Sequence, residues 1–352
     1  MKILNLSVIL ILAIITSCND KTSYENCIPL YKNSLPVFKK ISGTDFILPE
    51  AVMRPTILHI EDSILLLKEE MDEHLLHAYN LRTRQKTNAC LSFGNGPGEF
   101  LYLQQIQSSG PLLWLSDIQK ASITAYDKND ILLSDSTSPQ AKKNISLSDH
   151  FRETIVLPDG RFIATVFNSN HKRLSFYDEK GNFIETKGAF PYYGESLTPF
   201  EQMEGFSCSM ILSPYRNGIF LFYKQTDLIE LYDLNGNLKK RWQGPDFFYP
   251  VVRQTGRDDM VHVQSVAGQS RDGYISPLSA NGKVYVLYSG AYFDRKHPQY
   301  LRDQLFIFDN EGNPLSRYKL DQPIFTFTID PATNKLYGLS DDPEFHLIEY
   351  QL

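Results

Sequence analysis

Short runs of alternating apolar and polar residues, cut by corners of Gly, Asn and Asp, fill most of the chain. Residues 153–187 show the pattern in full: ETIVLP, the corner Asp159-Gly160, RFIATVF, a short NSNHK connection, RLSFYD, the corner Lys180-Gly181-Asn182, and FIETK. Period-two alternation is the mark of strands with one face buried, and Asp-Gly between two such runs signals a tight hairpin. Asn217-Gly218 and Asn281-Gly282 are matching corners further along. Past the N-terminal segment no stretch carries a convincing helical period, so the expectation is an all-β protein.

An aromatic residue followed by Asp or Asn recurs just before a turn, in HAYNLRT, TAYDKND, SFYDEKGN, ELYDLNGN and FIFDNEGN. The aromatics are Tyr79, Tyr126, Tyr177, Tyr232 and Phe308, and Tyr350 in the closing HLIEYQL makes a sixth, at spacings of 47, 51, 55, 76 and 42. Six units of about fifty residues, each read as four antiparallel strands, describe a six-bladed β-propeller. The last unit ends at Leu352 after its third strand, whereas NSLPVFKKI, residues 33–41, precedes the first full unit. That N-terminal segment is expected to complete the last blade and so seal the ring, because an open sheet edge invites aggregation.

The stretch FGNGPGEF, residues 93–100, packs three glycines and a proline into eight positions between two strand-like runs. Glycine opens backbone angles closed to other residues and proline withdraws a donor, so the chain must turn there. No helix follows to supply a dipole and no Lys-Ser/Thr pair is present, which argues against a phosphate cradle. The stretch resembles the glycine-rich signature of NHL-type propellers, and LLWLSDIQKASITAYDK, residues 112–128, resembles their following strand pair. With the N-terminal sequence described next, the chain resembles the six-bladed, NHL- or TolB-like propeller lipoproteins of Bacteroidota. The glycine signature occurs once. GAFPYYGE and QGPDFF stand at the equivalent junctions of other units, so no function tied to a repeated signature is implied.

The chain opens MKILNLSVILILAIITSC: one lysine, an apolar stretch from Ile3 to Ile15, then small polar residues and Cys18. This is the layout of a secretory signal, and a run of about 13 residues is short for a membrane span of roughly 20. Ile15-Thr16-Ser17-Cys18 resembles a bacterial lipobox, which implies cleavage before Cys18 and its lipidation. The expected organisation is a signal peptide at 1–17, a tether at 18–32 and the propeller at 33–352, anchored in the cell envelope and by resemblance in the outer membrane. The net charge of −6 becomes −7 once Lys2 leaves with the signal, and no basic run occurs, so a nucleic-acid partner is not expected. Cys27, Cys90 and Cys208 remain, an odd number; Cys90 and Cys208 lie in apolar runs and read as buried small hydrophobes.

In a four-strand meander the first-to-second and third-to-fourth turns share one end, here the turn face. The second-to-third loops and blade-to-blade crossings share the other, here the crossing face. The long connections, 188–205, 243–273 and 289–302, are all expected on the crossing face. They hold Tyr192, Tyr193, Phe247, Phe248, Tyr249, Arg253, Arg257, Tyr292 and Arg295. Aromatics with arginine dominate binding hot spots, and long loops without secondary structure are uncommon unless they function; the same rings could instead pack their loops onto the ring. No Gly-x-Ser-x-Gly elbow, His-Glu-x-x-His helix or P-loop occurs, so no catalytic residue is assigned. Asp258, Asp259 and His262 have a spacing that could ligate a cation, and six-bladed lactonases hold calcium at the axis. Asp72, Glu73, His74 and His77 read as exposed polar turn residues. The reading is therefore a non-catalytic binding or scaffold module for an envelope protein, peptide or glycan, needing no cofactor; the alternative is a calcium-dependent hydrolase of the lactonase type.

Overall fold

A computed structural model describes residues 24–166, 172–256, 261–294 and 301–352. It forms six radial antiparallel sheets. Blade one comprises Pro55–Glu61, Ile64–Glu69, Leu76–Asn80 and Lys86–Cys90; blade two Leu103–Ser109, Leu112–Asp117, Ser122–Asp127 and Lys143–Ser146. Blade three comprises Phe151–Val156, Phe162–Val166, Lys172–Tyr177 and Phe183–Ala189; blade four Cys208–Leu212, Ile219–Tyr223, Leu228–Tyr232 and Leu238–Gln243. Blade five has Tyr274–Ala280, Lys283–Tyr288, Arg302–Phe308 and Pro314–Ile324, and blade six Thr326–Asp330, Lys335–Ser340 and His346–Gln351. The six recurring aromatics all fall in third strands and are all buried.

Six apolar clusters among the described residues sit at the six junctions between neighbouring blades. The one that closes the ring joins Tyr337, Leu339 and Leu347 of blade six to Leu58, Leu65 and Leu67 of blade one, with Phe46 between. Sheets that bury both faces against neighbours explain why second strands such as Ile219–Tyr223 are buried at every position. Polar bonds near the axis lock the inner strands together. The amide of Gln105 donates to Glu153 (2.8 Å) and its carbonyl oxygen accepts from the Thr154 N–H (2.9 Å). At the turn face Arg216 of blade four crosses the axis to blade two, donating to the Ser108 carbonyl and the Ser109 hydroxyl, both at 3.3 Å.

The N-terminal segment does close the last blade, but through other residues than expected. Thr44–Asp45 pairs antiparallel with His346–Gln351 as the fourth strand of blade six. Residues 38–41, expected in that role, instead add a fifth, parallel strand to blade five, and Ile28–Pro29 does the same for blade four. Side-chain packing fixes this register. Phe38 meets Phe306 edge-on at 6.1 Å under the Arg317 guanidinium, while Phe46 meets Tyr337 edge-on at 5.0 Å. The segment is thus a strap around three outer edges. The stretch expected as a tether, 18–32, is packed from Tyr24 onward, since Tyr24 and Leu30 are buried against blade four and its loops.

Among the described residues, two short helices depart from the all-strand reading. Helix α1, Lys128–Leu132, lies in the connection 128–142 of blade two, so one long connection belongs to the turn face, contrary to the sorting above. Its Ile131 and Leu132 are buried, and their carbonyls accept from Asn88 (2.8 Å) and Thr87 (2.7 Å) of blade one. Helix α2, Pro199–Gly205, lies in the crossing from blade three to four and starts with a capping box between Thr198 and Glu201.

FGNGPGEF joins the outer strand of blade one to the inner strand of blade two. Ser92–Phe93 pairs parallel with Glu99–Phe100, and the Glu99 carboxylate folds back to accept from the Gly96 N–H (2.7 Å). A Cβ at Gly94 would lie 2.0 Å from that carboxylate, which would have to swing out of its bond to Gly96 to make room.

Candidate binding face

The elaborated crossing face is built on a buried carboxylate at the second-to-third loop of blade four. Asp227 accepts from the N–H groups of Asp246 (2.8 Å), Phe247 (2.6 Å) and Phe248 (3.2 Å), while the Thr226 hydroxyl donates to the Phe248 carbonyl (2.6 Å). Burial pushes the Asp227 carboxyl up to about 6 despite these donors. The same device recurs: Glu69 accepts from the N–H groups of Met53 and Arg54, and Asp117 from those of Leu101 and Tyr102. Each ties a crossing to a blade, which makes the face a set of fixed loops.

Arg271 sits between two rings, 4.6 Å from the centroid of buried Phe248 and 5.2 Å from that of exposed Tyr292. Its Nε donates to the Gly290 carbonyl (2.8 Å) and its guanidinium lies 3.3 Å from Asp246. Asp246 also takes Lys32 of the strap and the Tyr288 hydroxyl, both at 2.6 Å. Burial raises the Asp246 carboxyl, but Lys32, Tyr288 and Arg271 outweigh it and hold it below the usual range.

Beside this, Tyr193 stacks on Tyr249 at 4.5 Å, and Tyr24 meets both edge-on at 5.8 and 5.5 Å, with Phe206 behind. Phe247 tilts against Tyr31 at 5.2 Å. Helix α2 packs on the hairpin Val252–Thr255 with His262–Ser265: the Thr198 hydroxyl donates to Gln254 (3.0 Å), and a Cβ at Gly205 would lie 3.0 Å from Pro250. Gln225 of blade four ties the hairpin's far strand through Ser265 (2.9 Å).

The expected binding residues therefore divide. Tyr193, Phe247, Phe248 and Tyr249 pack the loops; Phe248, at 7% exposure, is not open to a partner. Tyr192 and Tyr292, each 58% exposed, and exposed Arg253 face outward, joined by Phe200 at 51%, which sequence reading missed. Arg257, Arg295 and Cys18 lie outside the described residues, as do Asp258 and Asp259. His77, expected to be exposed, is buried in blade one and bonds the His74 carbonyl at 2.9 Å.

Nucleophile geometry is poor elsewhere. At the turn-face mouth of the axis His59 Nε2 lies 3.0 Å from Ser108 Oγ, but Ser108 donates its proton to Glu61, which Lys128 also holds. A triad needs its carboxylate on the far nitrogen of the histidine, so the arrangement orients nothing for attack. Burial pushes the buried Cys208 thiol up to about 11 although Arg173 pulls it down, and burial lifts Cys90 to about 12. No group of three or more His, Cys, Asp or Glu able to hold a metal, and no helix long and apolar enough to cross a membrane, occurs among the described residues.

A family model described as TolB-like 6-blade propeller-like matches residues 38–332. Among solved structures, a DUF4221 family member from Bacteroides vulgatus is similar at 7% identity and a TM-score of 0.55, over 90% of this chain and 96% of that one. A protein from Bacteroides fragilis described as exported is similar at 11% identity and a TM-score of 0.52, over 92% of this chain and 98% of that one. At such identities the likeness is one of fold. No curated protein matches the chain.

Proposed function

The chain belongs to the TolB-like six-bladed propeller family, and we propose that it acts as an envelope-anchored, non-catalytic binding or scaffold module whose crossing face engages a protein, peptide or glycan. The observation that carries this reading is the division of the loop aromatics. Half-buried Tyr193 and Tyr249 stack on each other and buried Phe248 lies under Arg271, holding the crossings that lead into and out of blade four, while Tyr192, Phe200 and Tyr292 are left exposed. A preorganised surface loses less entropy on binding, and the exposed aromatic tips together with exposed Arg253 offer amphipathic contact. Alanine at Tyr192 and Tyr292 tests it, since exposed tips that bind can be removed at little cost to the fold.

The lipobox-like Ile15-Thr16-Ser17-Cys18 and the export described for the Bacteroides fragilis protein of similar fold support the envelope address. A lipid on Cys18 would anchor the chain ahead of the strap that begins at Tyr24, on the outer membrane by resemblance. Cys18→Ser is expected to release the protein from the membrane fraction. Retention there through detergent extraction would refute the anchor.

A further inference from the structure

We propose that the cleft between blades three and four, opening on the crossing face, binds an oxyanion: a carboxylate, sulfate or phosphate group borne by the ligand. The link to a ligand rests on the function proposed above; the anion site itself does not.

The cleft, about 20 Å³, is lined by Arg152, Lys172 and Arg173 together with Thr165, Ser207 and Phe190 among others, and no carboxylate is in its wall. Arg173 is 4% exposed. Its guanidinium lies between the rings of Phe190 (5.4 Å) and Tyr223 (5.0 Å), with Nε donating to the Tyr223 hydroxyl (3.1 Å) and Nη2 to Cys208 Sγ (2.6 Å). These contacts hold the group rigidly without neutralising it.

The carboxylates nearby are already taken. Fully buried Glu230 accepts from Arg241 at 2.6 and 2.7 Å, from Tyr232 at 2.8 Å and from Tyr223, so Arg173 reaches it only through the Tyr223 hydroxyl. Glu204 pairs with Arg152 at 2.8 Å, and Glu153 holds Gln105 at 2.8 Å and Lys224 at 3.5 Å. Among the described residues no carboxylate touches Arg173. Arg173, Arg241 and Glu230 thus leave one positive charge uncompensated in a buried cluster, a costly arrangement that an entering anion relieves. A fixed guanidinium suits the planar geometry of an oxyanion, Lys172 at the rim adds a point charge, and Thr165 and Ser207 supply hydroxyl donors.

The test is calorimetric titration of the detergent-extracted full chain with sodium phosphate, sulfate and acetate, at constant ionic strength made up with chloride. Saturable binding of at least one of them, one per chain, is expected. Lys172→Ala and Arg152→Gln should each weaken it about fivefold, Arg173→Gln should abolish it, and Lys240→Ala, near the opposite face, should leave it unchanged. Preference for phosphate or sulfate identifies an esterified ligand, and preference for acetate a carboxylate. If Arg173→Gln fails to fold, the two rim variants decide. No saturation by any of the three up to about 50 mM, or rim variants that bind like the wild type, overturns the site. Anion binding lost while partner capture survives removes this inference alone; capture lost at Tyr192 and Tyr292 with anion binding intact bears on the loop surface alone.

Discussion

Glu61 sits at the turn-face mouth of the axis, where burial pushes its carboxyl up but hydrogen bonds from His59, Lys128 and Ser108 outweigh that and bring it down to about 2. A carboxyl whose folded pKa lies below its unfolded value contributes stability that is present above about 4.5 and lost as pH falls toward about 2. Because solvent screens part of this mouth, the contribution is about 1–2 kcal/mol. Glu61→Gln should therefore cost that much in urea unfolding at pH 7 and almost nothing near pH 2; an equal cost at both would show that the charge is not what matters. His59 lies two residues from Glu61 on the same strand, but Ser108 and Lys128 come from blade two. A pairing that depends on two blades packing side by side was not legible from the residues. Asp227, Glu230 and Arg173 were overlooked for the same reason: each reads as an ordinary charged residue in a strand or turn, and only burial gives it a role.

The corners between third and fourth strands were legible, and the structure shows why. In blades three, four and five the sequence Asp-x-x-Gly-Asn builds the same turn. Asp178, Asp233 and Asp309 each accept from the N–H groups two and four residues on and from the Asn side-chain amide, all at 2.8–2.9 Å. Gly181, Gly236 and Gly312 take φ of +84°, +78° and +80°, as the turn demands. At Gly312 a Cβ would also lie 2.3 Å from the Trp242 ring of the neighbouring blade, whereas at Gly110, φ +58°, it would meet nothing within 4 Å. Gly312→Ala should thus cost about 2–4 kcal/mol and Gly110→Ala about 1–2, measured by denaturant unfolding; equal losses would mean that the corner is not wedged against blade four. The helices were not read, although Thr198-Pro199-Phe200-Glu201, a capping box with proline at the first helical position, was a start signal for one of them. At seven and five residues they are too short for a period to show. The strap's register was beyond the sequence, because the contacts of Phe38 with Phe306 and Arg317 join residues far apart along the chain.

At the level of the whole ring, six repeats, four-stranded blades and N-terminal closure could be read because each follows from a pattern that recurs or from an edge that must be covered. The binding face could be located but not resolved. Loop length marks where the chain departs from the repeat, yet Tyr192 and Tyr193 are neighbours with the same chemistry, and only packing sends one outward and the other under Tyr249. The most direct check compares thermal unfolding with capture of envelope proteins and glycans for Tyr192→Ala, Tyr292→Ala and Tyr215→Ala, the last replacing a turn-face residue that is 70% exposed. Capture lost in the first two, kept in the third, with melting shifted by no more than about 2 °C in all three, is the result expected of a preformed binding face. Unchanged capture in the first two, or a loss that appears only where melting falls, would mean that these aromatics belong to the loops they sit on and to no partner.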